Sequence, residues 1–279
     1  MTEASVELRD VRGPSALGGG ARRAAELLYL IAAFEFKRTY FGTALGYVWS
    51  LARPLITFAV LLVVFTQVFR IGSQVPHYPV LLLFNIVLFT FFQEATTTAV
   101  ESIVNQESVV RKTQFPRLVI PLAVVLTSAF NLGLNLIVVF VFMLSFGVGP
   151  MWSWLLFPVF LVLLFVFTTA VSMIVSSLNP RFRDIGIIWS VLSTVLFYAT
   201  PVLYPIGSVD SPLRDFLALN PLTPLFALAR TWMIDPTAPG PVDAVGVWPV
   251  AIAAAVYVGI CVIAAWVFKR EAPRVAEEL

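Results

Sequence analysis

The sequence predicts an all-α polytopic membrane protein with six transmembrane helices. Apolar residues make up 59% of the 279-residue chain and charged residues only 12%. Soluble domains average about 45–50% and about 25%. The mean hydropathy is +0.91. Residues 118–180 form a run of 63 without one charge. That is too long for one helix and suits two, since a span needs roughly 20 apolar residues. Six spans leave no room here for a separate soluble domain.

The elements follow in order. Residues 1–21 read as a flexible cytoplasmic tail, polar and ending in Gly18, Gly19 and Gly20. They lack the basic, apolar, small-residue order of a secretory signal. Residues 22–41 read as an amphipathic helix in the cytoplasmic interface, with Leu27, Leu30, Ile31, Phe34 and Phe41 on one face. The competing reading is a plain solvated helix leading into the first span. Charge-free runs place spans at about 45–70, 80–100, 118–146, 152–178, 185–205 and 247–268. Gly147, Gly149 and Pro150 mark the turn between the third and fourth. Residues 22–268 thus form a single transmembrane domain, followed by a cytoplasmic tail, 269–279.

Basic residues set the expected orientation. The N-terminal segment, the 101–117 loop, the 179–184 loop and the C-terminal tail carry 15 of the 18 Lys and Arg. The opposite face holds only Arg70, Arg214 and Arg230. The positive-inside rule then puts both termini in the cytoplasm, in a multi-pass protein of the cytoplasmic membrane. Trp152, Trp154 and Trp248 fall near the outer boundary, and Trp49, Trp189 and Trp266 near the inner one.

Three connections carry further expectations. In the loop after span two, residues 105–114 read as a short helix, ended where Pro116 disfavours the α conformation at Phe115. Its mixed charges fit either contact with a soluble partner or a solvated loop. Residues 179–185 read as a tight turn, with Arg183 and Asp184 pairing or capping the next helix as the alternative. The outer segment 206–246 has apolar pieces at 216–219 and 222–232, broken by Asn220-Pro221 and Asp235-Pro236. Pieces too short to span read as re-entrant half-helices, whose backbone is shielded by protein or lines an aqueous cavity.

The chain offers little to chemistry. One cysteine, Cys261, and one histidine, His77, exclude a disulfide framework, thiolate metal sites and His-based metal motifs. No GxxxxGK[ST] loop is present, so no P-loop ATP hydrolysis is expected in this chain. No catalytic residue, metal site, resident cofactor or nucleic-acid partner is expected. Glu94 is the one acid well inside a span, beside Gln93 and Thr96. A membrane carboxylate is functional by default, and a hydrogen-bonded helix contact competes with that reading.

Aromatics point further. Phe58, Phe65 and Phe69 fall at i, i+7 and i+11 in span one. Trp189, Ser193, Phe197, Thr200 and Tyr204 share a face of span five, with Ser190, Thr194 and Tyr198 beside it. Rings that stack on apolar sugar faces, among hydroxyls that exchange hydrogen bonds, suit a glycan. Ordinary helix packing through Ser and Thr is the competing reading.

An amphipathic helix here runs into a Leu45, Gly46, Trp49, Pro54 core. Downstream stand Arg111 to Pro121, Asn179 to Ile185, Thr200-Pro-Val-Leu-Tyr-Pro205 and Leu219-Asn-Pro221. In this order, over about residues 25–270, the pattern resembles the membrane subunit of ABC-2 type polysaccharide exporters, the O-antigen and teichoic-acid class. It looks most similar to the actinobacterial exporter of lipid-linked galactan.

The resemblance implies a homodimer paired with two copies of a separate ABC ATPase, which binds ATP and Mg. The substrate it implies is a polyprenyl-diphosphate-linked glycan. The interface helix and the loop after span two would contact the ATPase, placing Glu26, Glu35, Gln106, Glu107, Arg111 and Lys112 in coupling. Spans one and five of both protomers would line the sugar channel. Its candidate residues are Phe58, Phe65, Phe69, Trp189, Ser193, Phe197, Tyr198, Thr200 and Tyr204. Segment 206–246 would form outer gate helices. Charge at the inner interface puts the lipid diphosphate near Lys37, Arg38 and Arg53, with membrane lipids around the whole.

Three rivals share parts of this plan. An ABC-2 exporter of a drug or small amphiphile has the same spans. A membrane-embedded glycolipid transferase would need clustered acids for a metal, and the cytoplasmic loops offer only Glu101, Glu107 and Asp184. A proton-coupled carrier would turn on Glu94.

Overall fold

A computed structural model of the chain describes residues 20–41, 46–70, 75–105 and 119–271. All regular elements among them are helical. Helix α1 is Gly20–Phe41, α2 is Gly46–Val63, α3 is Tyr78–Asn105 and α4 is Val119–Ser145. A 3-10 turn, Trp152–Leu156, leads into α5, Phe157–Leu178, and α6 is Ile185–Ala199. Three short helices follow: α7 (Leu213–Ala218), α8 (Leu222–Met233) and α9 (Pro241–Val245). The last, α10, is Val247–Glu271.

Among the described residues, five segments are long and apolar enough to cross a bilayer: Val48–Val68, Tyr78–Asn105, Val119–Ser145, Trp152–Leu178 and Val247–Arg270. The sixth expected span is shorter. Helix α6 has 15 residues, about 22 Å at the usual rise, against a hydrocarbon core about 30 Å thick. The apolar run reaches Pro205, yet helix stops at Ala199 because Pro201 disfavours the α conformation at Thr200. Thr200 is extended, with φ −91° and ψ 144°.

The centre of the fold is α3. It packs against α2, α4, α5 and α6, and every residue from Leu81 to Phe89 is buried. A helix that is apolar all round belongs in such a position. Ring contacts tie it to α5: Phe92 stacks on Phe167 at 5.8 Å and Phe84 meets Phe157 at 5.8 Å. Polar groups tie it to the segment after α6. The Tyr78 hydroxyl donates to the Leu203 carbonyl at 2.8 Å. Asn85 Nδ2 donates to the Pro201 and Val202 carbonyls, each at 3.2 Å. Residues 200–203 are buried as irregular backbone, and these donors satisfy carbonyls that a helix would have satisfied itself.

Helix α4 turns into the next element through a left-handed glycine. Gly147 has φ 79°, the Val148 N–H returns to Met143 O at 3.0 Å and the Gly147 N–H to Leu144 O at 3.2 Å. This pair of bonds closes the helix as a Schellman motif. The 179–184 turn holds Asp184 at the N-cap of α6 without a side-chain cap bond. The reversal therefore rests on backbone bonds, from the Phe182 N–H to Leu178 O at 2.9 Å and from Ile185 to Phe182 O at 3.0 Å.

Helix α1 lies against α4. Phe130 meets the edges of Tyr29 and Phe36, and the Thr127 hydroxyl donates to Ala32 O at 3.3 Å. The expected apolar face divides: Ala32 is fully buried, Leu27 and Ile31 are half-buried, and Leu30 and Phe34 are exposed. The Phe41 side chain, and the loop helix expected over 105–114 beyond Asn105, lie outside the described residues. At the other edge α10 packs on α5. There the Tyr257 hydroxyl donates to Leu163 O at 2.8 Å and its ring stacks on Phe167.

The segment 206–246 packs on one end of the bundle. Helix α8 packs on α5 and on the 3-10 turn, where Trp154 Nε1 donates to Met233 O at 3.0 Å. Arg230 and Asp235 pair at 3.9 Å with side chains 16% and 12% exposed. Burial pulls the Arg230 guanidinium below its ordinary range, and the Asp235 carboxylate opposes that shift.

Two outcomes follow from these contacts. Asn85→Ala strips donors from two buried carbonyls and lowers stability by about 1–3 kcal/mol, read as a lower Tm in detergent micelles. Gly147→Val puts a β-branched side chain at positive φ and costs about 1–2 kcal/mol in the same measurement.

Candidate functional site

Helices α2, α3 and α6 line an open cleft of about 550 Å³ with polar and apolar groups on its walls. Its α3 wall runs from Ile86 to Thr98, about 18 Å at 1.5 Å per residue. Helical spacing builds it. Arg53 and Thr57 stand at i, i+4 on α2, Thr90 and Glu94 at i, i+4 on α3, and Ser190 and Thr194 at i, i+4 on α6. Pro54 also lines it, within α2. Proline has no N–H to return to the Ser50 carbonyl.

The cleft is charged at one level and aromatic toward its other end. Glu94 is half-buried, and its Oε2 accepts from Asn131 Nδ2 of α4 at 2.9 Å. Asn135 Nδ2 donates to the Asn131 backbone oxygen at 2.9 Å and to Asn131 Oδ1 at 3.2 Å. With its Oδ1 so engaged, Asn131 presents its amide donor to Glu94. Arg53 of α2 and Glu94 of α3 line the same cleft. One residue along, Gln93 Nε2 donates to Ser193 Oγ at 3.4 Å, joining α3 to α6. Toward the other end Phe197 packs on Phe89 at 5.3 Å and on Tyr198 at 5.2 Å. The wall thus offers one cation, one carboxylate, several hydroxyls and two aromatic rings.

The expected site residues divide. Ser193, Phe197, Tyr198 and Arg53 line this cleft. Trp189 is buried against Phe92 at 6.2 Å. Thr200 is fully buried and accepts from Asn220 Nδ2 at 2.9 Å. The Tyr204 hydroxyl closes back on the Tyr198 carbonyl at 2.8 Å, and its ring lines a separate small outer pocket with Arg230.

Of the expected Phe58, Phe65, Phe69 stripe, Phe58 is buried against Phe142 of α4 at 5.5 Å, Phe65 is half-buried with its ring 5.3 Å from that of Phe69, and Phe69 is 60% exposed. A π-helical turn, Val64–Val68, follows α2, with a bond from the Phe69 N–H to Val64 O at 3.2 Å. Widening to i→i+5 shifts Phe69 from the 3.6-residue register.

Lys37 and Arg38 are exposed near the end of α1, with Arg38 3.6 Å from Glu35. Glu26 is exposed on the same helix. Gln106, Glu107, Arg111 and Lys112 lie outside the described residues.

Sequence reasoning did not single out Thr57 or Thr90. The signal was present: each stands one helical turn from a charge, so all four side chains share the cleft.

The class of protein to which this all-helical fold and its cleft belong follows from its relatives. Comparison with known proteins identifies which. The model of the ABC-2 type transporter family matches residues 26–234. An O-antigen export system permease protein RfbA of Myxococcus xanthus is 33% identical over 201 residues, covering 71% of this chain and 76% of the relative. One from Klebsiella pneumoniae is 30% identical over 213 residues, covering 76% and 82%. The chain belongs to the ABC-2 type transporter family, as a membrane permease.

The Glu94 contact has a measurable worth. Asn131→Leu removes the side-chain donor of a carboxylate at membrane depth and lowers stability by about 1.5–3 kcal/mol. Glu94→Gln keeps an amide oxygen for Asn131 and costs less. Thermal unfolding of both variants in micelles checks the order.

Proposed function

We propose that this chain is the membrane subunit of an ATP-driven exporter that moves a polyprenyl-diphosphate-linked polysaccharide, of O-antigen or galactan type, across the cytoplasmic membrane. The observation that carries the proposal is the cleft on α2, α3 and α6. It joins a cation suited to a diphosphate with hydroxyls and rings suited to sugars. The kinship with O-antigen export permeases supports the same substrate class.

Two copies work together in this proposal. Helix α2 exposes Ile56, Val60 and Val63, and α6 exposes Ile187, Val191 and Val195. A second copy facing these helices closes the open cleft into a channel, and lipid covers the remaining apolar faces. Both termini lie in the cytoplasm, following the basic residues. Two copies of a separate ATPase hold ATP and Mg and grip α1 with the loop after α3. Their closure moves the bundle. The lipid head enters beside Lys37, Arg38 and Arg53, and the glycan follows along the hydroxyls and rings. Helices α7, α8 and α9 form the outer gate and dip into the membrane as re-entrant pieces. This chain breaks no covalent bond.

Conditional depletion with mass spectrometry of the lipid-linked pool tests the proposal. The expected result is accumulation of one elongated polyprenyl-diphosphate glycan and its loss from the envelope. An unchanged pool would point to an exporter of small amphiphiles, and loss of the lipid-linked polymer to a biosynthetic role. Neutralising Lys37, Arg38 and Arg53 together is expected to abolish export while the protein still reaches the membrane. Unchanged export would refute the headgroup placement.

A further inference from the structure

We propose that Glu94 is the selectivity element of the cleft, a fixed carboxylate that engages Arg53 until a headgroup with more than one negative charge displaces it. This rests on reading the cleft as the site of the lipid headgroup.

Arg53 and Glu94 are the only charged residues that line the cleft among those described. They differ in freedom. Glu94 stands on the central helix and is held by Asn131, itself oriented by Asn135. Arg53 stands on peripheral α2 and its side chain is exposed. The carboxylate is therefore the more tightly held of the two.

This asymmetry discriminates by charge. In the empty cleft the two charges balance, which suits a membrane interior where an uncompensated ion is costly. A headgroup with one charge, such as a phosphodiester, offers Arg53 only what Glu94 already offers. It also meets the repulsion of the carboxylate left behind. A diphosphate diester carries two charges and offers a planar guanidinium two phosphoryl groups to bridge. It gains more from Arg53 than it loses to Glu94. Rejection by a built-in like charge is the repulsive half of specificity. Ordinary anionic lipids, which surround the cleft in vast excess, are the competitors it excludes.

The test uses the full chain with its ATPase partner in nanodiscs. The probes are two lipids with the same prenyl tail and the same N-acetylglucosamine, one joined by a diphosphate and one by a single phosphodiester. Wild type is expected to bind the diphosphate lipid more tightly. In Glu94→Gln, which keeps an acceptor for Asn131, that preference falls about tenfold, within the usual range of site coupling. The fall comes from tighter binding of the phosphodiester lipid. Gln93→Glu, a second carboxylate in the same wall, is expected to sharpen the preference, and this variant decides the matter if Glu94→Gln fails to assemble.

An unaltered preference in Glu94→Gln, or a fall caused only by weaker diphosphate binding, overturns this inference and leaves the proposed function standing. Failure of wild type to bind either lipid overturns both.

Discussion

Inside a bilayer a polar side chain has only the protein to bond with, and the fold is organised by how α3 meets that constraint. Apolar packing alone gives little reason for one helix to choose another in lipid, because lipid tails are as apolar as leucine. Helix α3 carries Tyr78, Asn85, Gln93 and Glu94 along its length, and together they reach three different neighbours. Tyr78 and Asn85 hold the irregular 200–203 segment, Gln93 holds Ser193 of α6, and Glu94 takes the amide of Asn131 in α4. These bonds fix the register of the helices around α3, and the stacked phenylalanines fill the space between them.

The cleft is a consequence of the same arrangement. The side of α3 toward α5 is closed by aromatic packing. The side toward α2 and α6 is closed only in part, leaving threonines and the Glu94 carboxylate facing open space. Helices α2 and α6 are the most exposed partners of α3, so the cleft has one rigid wall and two peripheral ones.

Much of this was legible in the sequence, and the exceptions have physical causes. The charge-free runs located the helices because a spanning segment must be apolar along its whole length. The polar and aromatic residues of α6 were visible as a face, and Ser193, Phe197 and Tyr198 do line the cleft. Thr200 and Tyr204 looked like a continuation of that face, but Pro201 ends the helix and the chain turns inward. A π turn at Val64–Val68 changes the helical period before Phe69, and no sequence pattern announced it. Glu94 allowed two readings, a functional acid or a packing contact. The structure gives it both a hydrogen bond to Asn131 and a place on the cleft wall. Its partner 37 residues away could not be read from spacing within one helix.

The account stands on the cleft being the path of the glycan. Cysteine accessibility in the assembled exporter tests this most directly. With Cys261 replaced by serine, Thr57→Cys and Thr194→Cys place a thiol on each peripheral wall. Labelling with a membrane-impermeant thiol reagent is then compared with and without bound lipid-linked polysaccharide. The account predicts ready labelling of both positions in the empty exporter and strong protection of both when the polymer is bound. Equal labelling in the two states would contradict it.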